Sequence, residues 1–179
     1  SQFVRLELFS LIPKFDLDPN KVGEIEAEEV EERNISLVKC DNANDLLERT
    51  KGADVYFYPS IIDGSVTDLY FAFGDEIVSV SPEVQGYEDF VREFFEDESA
   101  KKFSFNTKEL HRLACKLGVE LKSVKGDLML SAYLLRPSDS NYDIAHLCLE
   151  YGVKIPEFLN SLGTKDENVE LASVVKPLF

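Results

Sequence analysis

The sequence predicts an α/β protein with a mixed β-sheet flanked by helices. Three observations point there. The 179 residues are 44% hydrophobic, which suits one domain with a sizeable core and no need of disulfides. Residues 34–82 hold β-rich runs broken by turn signals, and residues 86–176 hold mainly helical periodicities around short extended pieces. The resulting order is a strand, a helix, strands with a hairpin, then helices around another short strand. Such an order fits a sheet with helices on its faces.

Residues 1–30 read as an N-terminal connector, because Pro13 and Pro19 limit helix length. The run "EIEAEEVEER" at 24–33 carries six glutamates and reads as a solvated face. Residues 31–179 read as the folded domain. "NISLVKC" (34–40) is a strand. "DNANDLLERT" (41–50) opens on Asp and Asn cap candidates and reads as a helix. "ADVYFYPS" is a buried central strand ending at Pro59, and "DGS" (63–65) is a turn. In "TDLYFAFGDEIVSVSP" (67–82) two β-rich arms flank Gly74-Asp75, the pattern of a tight hairpin. "GYEDFVREFFEDE" spaces Tyr87, Phe90, Val91, Phe94 and Phe95 at helical intervals, which predicts a core-facing helix. "KKFSF" (101–105) is extended. "NTKELHRLACKLG" predicts a helix capped by Asn106 and stopped at Gly118. After the extended "VELKSV", "GDLMLSAYLLRP" predicts an apolar helix capped by Asp127 and ended by Pro137. "SDSNYDIAHLCLEYG" predicts a capped helix with Ile144, Leu147 and Leu149 inward, and residues 164–176 a last helix.

The charge narrows the function. Nineteen basic residues against 34 acidic ones give −15, a field that repels a polyanion. Lys101–Lys102 and Lys122–Lys125 are modest basic concentrations, so weak or no nucleic-acid binding by this chain is expected. No apolar stretch has the length of a membrane span, no signal-peptide pattern opens the chain, and a cytoplasmic monomer is expected. The first residue is Ser, the one methionine is Met129, and the last residues "ASVVKPLF" are apolar, so a piece of a longer protein is expected. Cys40, Cys115 and Cys148 are too widely spaced for a zinc site or a disulfide framework and read as core thiols.

Motifs for chemistry are sparse. The nine glycines are scattered singly, with no phosphate loop or dinucleotide fingerprint. No serine sits in a nucleophile elbow. His111 and Cys115 lie four apart on a helix but lack two further metal ligands. His146 reads as a packed or surface residue. Two-metal phosphodiester hydrolysis needs three or four converging carboxylates. The strand "VYFYPS" offers none. Glu109 is turned from its neighbour Leu110 by about 100°, so it is a poor substitute for an inward group there.

The stretch "FNTKELHRLACKLGVELKSVKGDLMLSAYLLRP" resembles the 3′–5′ exonuclease (proofreading) domain of the bacterial DNA polymerase I family, the A-family DNA polymerases. The matching residues are Asn106, Gly118, Val119, Glu120, Leu121, Asp127, Tyr133, Leu134, Leu135 and Pro137. "NYDIAHLCLEYGVKI" is similar to the family's next helix, and "FVRLELFSLI" to the segment preceding the domain. The resemblance implies a ribonuclease-H-like mixed sheet flanked by helices. Active members hold two divalent metals through a D-x-E on the first core strand, a helix Asp, and an Asp in a late Tyr-x3-Asp motif. Those positions fall on Tyr58 and Ser60, on Leu110, and near Thr164 and Asn168. None is a carboxylate, so no catalytic residue, metal or cofactor is expected.

The resemblance therefore implies an inactive exonuclease-like domain. Its partners would be the polymerase domain of the same parent chain and, through the parent enzyme, DNA in replication and repair. The alternatives are a weakly active metal-dependent exonuclease using Glu109, Asp63 and Asp68, and a module that holds single-stranded DNA without cutting it. Tyr58 is expected to pack into or over the cleft that two metals would otherwise occupy.

Overall fold

In a computed structural model of the chain, residues 34–179 are described. The connector expected over residues 1–30 and the glutamate run lie outside them. Six strands form one sheet in the order β1-β4-β3-β2-β5-β6. They are β1 (Ser36–Lys39), β2 (Asp54–Ile62), β3 (Ser65–Phe73), β4 (Glu76–Val80), β5 (Lys101–Ser104) and β6 (Val124–Asp127). β3 is antiparallel to both β2 and β4; β1 pairs with β4, and β5 with β2 and β6, in parallel. Among the described residues six helices flank the sheet: α1 (Ala43–Thr50), α2 (Tyr87–Glu96), α3 (Thr107–Leu117), α4 (Leu128–Leu135), α5 (Ile144–Tyr151) and α6 (Glu167–Leu178).

β2, β3 and β4 form a meander. The β2–β3 turn places Asp63 and Gly64 at φ 49° and 71°, both left-handed, the pairing a two-residue hairpin turn demands. Gly74 has φ 70° and opens the expected β3–β4 turn. β2 does not end at Pro59 but runs on to Ile62. The reason is the direction of its backbone groups. The Lys101 N–H donates to Ala53 O, and Ser104 Oγ to Phe57 O, so odd-numbered residues of β2 point at β5. The paired register with β5 ends at Tyr56 opposite Phe103. Pro59 therefore lacks an N–H only where no strand bond is available, and its pairing with Leu69 of β3 persists.

The alternation of β2 and β3 divides the core. Val55, Phe57, Leu69 and Phe71 face α1, α2 and α3, with Phe90, Phe94 and Phe95 fully buried among them. The aromatic stripe of α2 is core, as its spacing predicts. Tyr56, Tyr58 and Tyr70 face the other way, toward α5 and α6. Lys102, counted above with a basic concentration, is buried in β5. Its Nζ donates to Asp97 O (2.7 Å) and Ala100 O (3.1 Å) and lies 5.0 Å from the Phe94 ring centroid. Of the three cysteines only Cys148 is core; Cys40 is half-buried and Cys115 exposed.

One carboxylate holds two helices. Asp127 Oδ1 accepts from Met129 N (2.9 Å) and Leu130 N (3.2 Å), capping α4 as expected. The same side chain accepts from Asn106 N (3.2 Å), Thr107 N (2.7 Å) and Thr107 Oγ1 (2.7 Å), at the start of α3. Asn106 stands at the expected cap position, but its left-handed backbone (φ 54°) leaves its side chain without a capping bond. Asp127 supplies that chemistry from β6.

One inward assignment changes. In α5, Ile144, Leu147 and Cys148 are buried, whereas Leu149 is 82% exposed. Positions 144, 147 and 148 form the i, i+3, i+4 stripe, and Leu149 lies off it. In α4, apolar but for Ser131, only Leu128 and Ala132 are buried.

Candidate functional site

Of the four positions that the resemblance assigns to metal carboxylates, Tyr58, Ser60 and Asn168 meet one face of the sheet and Leu110 the other. Tyr58 and Ser60 lie on the α6 side of β2. Tyr58 is half-buried, 6.1 Å from Phe105 between ring centroids, and packs against the clusters formed with α5 and α6. Burial, followed by the nearby Glu167 and Asp143, raises its pKa. Its cross-strand partner Tyr70 is pushed up to about 12, chiefly by burial and then by Asp166 and Asp68, while a hydrogen bond with Asn168 opposes the rise. Asn168 of α6 therefore meets the tyrosine face of the sheet. Ser60 is buried opposite Asp68, and its carbonyl accepts from Thr67 Oγ1 at 3.4 Å. Thr164 is exposed in a tight loop, its N–H donating to Asn160 Oδ1 at 3.0 Å.

Leu110 belongs to the opposite side. It is 0% exposed and packs in the core under α1, α2 and α3. Glu109 is also buried, a departure from its reading as the outward neighbour. Arg112 Nη1 engages both of its oxygens at 2.8 and 2.9 Å. The remaining alternative carboxylates are separate from it: Asp63 is exposed at the β2–β3 turn, and Asp68 is half-buried on β3.

These side chains do not fit a pair of divalent metals. Hard cations need several ionised oxygens on one centre. Among the described residues no group of three His, Cys, Asp or Glu side chains could hold a metal ion. His111 and Cys115 are both exposed, with no third ligand beside them. Asp127 already accepts five hydrogen bonds and is committed to the helix termini.

A sizeable concavity among the described residues lies elsewhere. A groove of about 960 Å³ lies between α3 and α4. Lys108, Arg112 and Lys116 line the α3 wall, and Met129, Leu130 and Tyr133 the α4 wall. Tyr142 closes one side, edge-on to Tyr133 at 5.8 Å. The basic row escapes a reading of adjacent charges because its members are four residues apart. The i, i+4, i+8 spacing on a predicted helix is the signal that finds it.

Comparison with known proteins agrees with this architecture. Residues 62–158 match the family described as DNA polymerase I, ribonuclease H-like domain. The matched stretch includes Leu110 but not Tyr58, Ser60 or Asn168. DNA polymerase I of Bacillus subtilis (strain 168) is 33% identical over 64 residues, which are 36% of this chain and 7% of that protein. A solved structure of the POL domain of Pol1 from M. smegmatis, in complex with DNA primer-template and dNTP, has a TM-score of 0.59 at 20% identity. That match covers 80% of this chain and 26% of the other. The EXO domain of Aedes aegypti Nibbler matches at 15% identity and a TM-score of 0.47, covering 84% of this chain and 87% of that one. The chain thus spans about a quarter of the Pol1 structure. With its six-stranded mixed sheet flanked by helices, it has the ribonuclease H-like exonuclease fold and belongs to the DNA polymerase I ribonuclease H-like domain family.

Proposed function

We propose that this domain, residues 31–179, is a catalytically silent 3′–5′ exonuclease-like domain whose role is to support the polymerase domain of a longer DNA polymerase I. The observation that supports the reading is that none of the positions the resemblance assigns to metal carboxylates holds a carboxylate. Tyr58, Ser60, Leu110 and Asn168 are uncharged at neutral pH, and Leu110 is embedded in the core. Without ionised oxygens at those positions a two-metal mechanism has no cage. The parent enzyme would be a monomeric DNA-directed DNA polymerase acting in replication and repair, and DNA would be met through its other parts. Among the described residues no helix is long and apolar enough to cross a membrane, which fits a cytoplasmic enzyme.

The test is a single-strand digestion assay across Mg²⁺ and Mn²⁺ concentrations. The expected result is no cleavage above the metal-free control. Clear metal-dependent digestion from the 3′ end would establish the weak-nuclease alternative instead.

A second reading, retention of single-stranded DNA without cleavage, is favoured by one observation. The α3–α4 groove pairs Lys108, Arg112 and Lys116 with Tyr133 and Tyr142. Cations beside aromatic rings suit a strand that stacks its bases. The −15 charge opposes it. Oligonucleotide anisotropy titrations at low and high salt separate the two. Binding that is tighter than micromolar, salt-dependent and abolished by Lys108→Glu with Lys116→Glu supports retention. No binding at low salt removes it.

A further inference from the structure

The two walls of the α3–α4 groove differ in chemistry. α4 carries no charged side chain, and its Met129, Leu130 and Tyr133 are exposed along the groove. The α3 wall presents Lys108, Arg112 and Lys116. A rise of 1.5 Å per residue sets the outer two about 12 Å apart along the helix. Arg112 is shared with Glu109, whereas Lys108 and Lys116 are exposed and have no acidic partner among the described residues. Three cations against the one lining carboxylate, Asp127, give the groove a positive sign in a chain of −15. Counting Glu109 behind Arg112 leaves that sign positive. The walls are also fixed in place. Asp127 fastens the first turns of both helices. Tyr142 Oη donates to Arg136 O at 2.7 Å, which holds its ring beside Tyr133.

We infer that this groove is a docking site for an acidic amphipathic segment of a partner protein. Its carboxylates would meet Lys108 and Lys116, and its apolar side chains Met129, Leu130 and Tyr133. Charge complementarity and the division between the walls carry the inference. A helix with carboxylates at i, i+4 and i+8 repeats the span of about 12 Å between the cations. The residues next to those carboxylates stand about 100° round the helix, so an apolar stripe there faces the second wall. Such a segment needs only the local field, because its few charges end where the cations end. Nucleic acid makes a different demand. A single strand carries a phosphate at every nucleotide, and past the short row of cations it meets a chain of −15. Its bases need open aromatic faces with cations among them. Here the cations stand on one wall, and the two rings pack edge-on against each other at the other. The inference goes beyond the silent-site reading and is the rival of strand retention for this groove.

Two synthetic peptides, titrated into the ¹⁵N-labelled 179-residue chain, test it. One is an alanine-based helical peptide of about fifteen residues, with Glu at every fourth position and Leu directly after each Glu. The other carries Gln in place of every Glu. The Glu peptide is expected to shift the amides of residues 107–116 and 128–133, with a micromolar dissociation constant that weakens as salt is added. The Gln peptide should bind at least about tenfold more weakly, and Lys108→Glu with Lys116→Glu should weaken the Glu peptide by at least as much. Both lysines are exposed, so the melting temperature of the double variant should match that of the parent. Leu130→Ser, on the other wall, should weaken both peptides alike. Absence of shifts at millimolar peptide overturns the inference, as does equal binding of the Gln peptide or of the double variant. A dT oligonucleotide that shifts the same amides at lower concentration than the Glu peptide assigns the groove to nucleic acid and overturns it too. So do shifts there that grow with protein concentration in the absence of peptide, which identify a second copy. The nuclease assay is independent of these titrations. A nuclease that binds the peptide sinks the silent-site reading alone, and a silent domain that ignores the peptide sinks this inference alone.

Discussion

Leu110, at a position that the resemblance assigns to a metal carboxylate, shows what a charge would meet there. A charge there would sit inside the core under α1, α2 and α3, where Leu110 is completely covered. Leu110→Asp is therefore expected to destabilise by at least about 3 kcal/mol rather than to restore a metal ligand. Chemical denaturation measures the first effect and isothermal titration with Mn²⁺ the second. A folded variant that binds the metal tightly would contradict the account. Lys102 makes a different residue-scale prediction. Burial lowers its pKa to about 8, outweighing the opposing pull of Asp97. In the unfolded chain the amine regains its ordinary pKa near 10.5. Between those values the unfolded state binds more protons, so stability rises with pH from about 8 toward 10. Tyr70 and Tyr87, both raised to about 12 by burial, reverse the trend above pH 10, where the unfolded tyrosines lose their protons first. Denaturation midpoints of the parent and of Lys102→Met across pH 7–10 check the sign. The rise should be absent in the variant.

At the scale of elements, Asp127 is the most economical connection in the fold. Asp127→Ala removes the caps of α3 and α4 together and is expected to cost about 2–4 kcal/mol, twice an ordinary cap. Asp127→Asn keeps one acceptor oxygen and should fall between. Equilibrium urea titration orders the three proteins, and an alanine variant within experimental error of the parent would refute the shared role. Only half of this arrangement was legible in the sequence. Asp127 opening an apolar helix is a local signal. Its bonds to residues 106 and 107 join positions some twenty apart, which no local pattern reports. The same distinction runs through the other elements. The Gly74-Asp75 turn and the aromatic stripe of α2 are local, and both stand where expected. α4 is apolar but for Ser131, so periodicity gives it no distinct face, and its exposure is decided by neighbours. Pro59 looks like a strand terminus until the direction of its missing donor is known. Of the candidate site, the lack of a carboxylate over residues 55–60 was legible. The separation of Tyr58 from Leu110 across the sheet was not, since sequence spacing gives no register between a strand and a distant helix.

For the whole molecule, charge and surface composition work against each other. A net charge of −15 on 179 residues opposes compaction through self-repulsion. Raising sodium chloride from about 20 to about 300 mM shortens the Debye length and should raise the melting temperature by several degrees. A decrease under calorimetry would mean that attractive ion pairs such as Arg49–Glu76 dominate instead. The same charge that discourages a polyanion is withheld from α4 and α5, so the molecule separates a solvated majority from a small apolar face. The doubly engaged carboxylate of Asp127 reaches further than stability. Helices that share a terminus cannot fray one at a time. Native-state amide exchange in the first turns of α3 and α4 should accordingly report a common opening free energy, a single foldon spanning the walls of the basic groove. Any ligand that tightens one wall would then slow exchange in the other, although no side chain of the second wall need touch it.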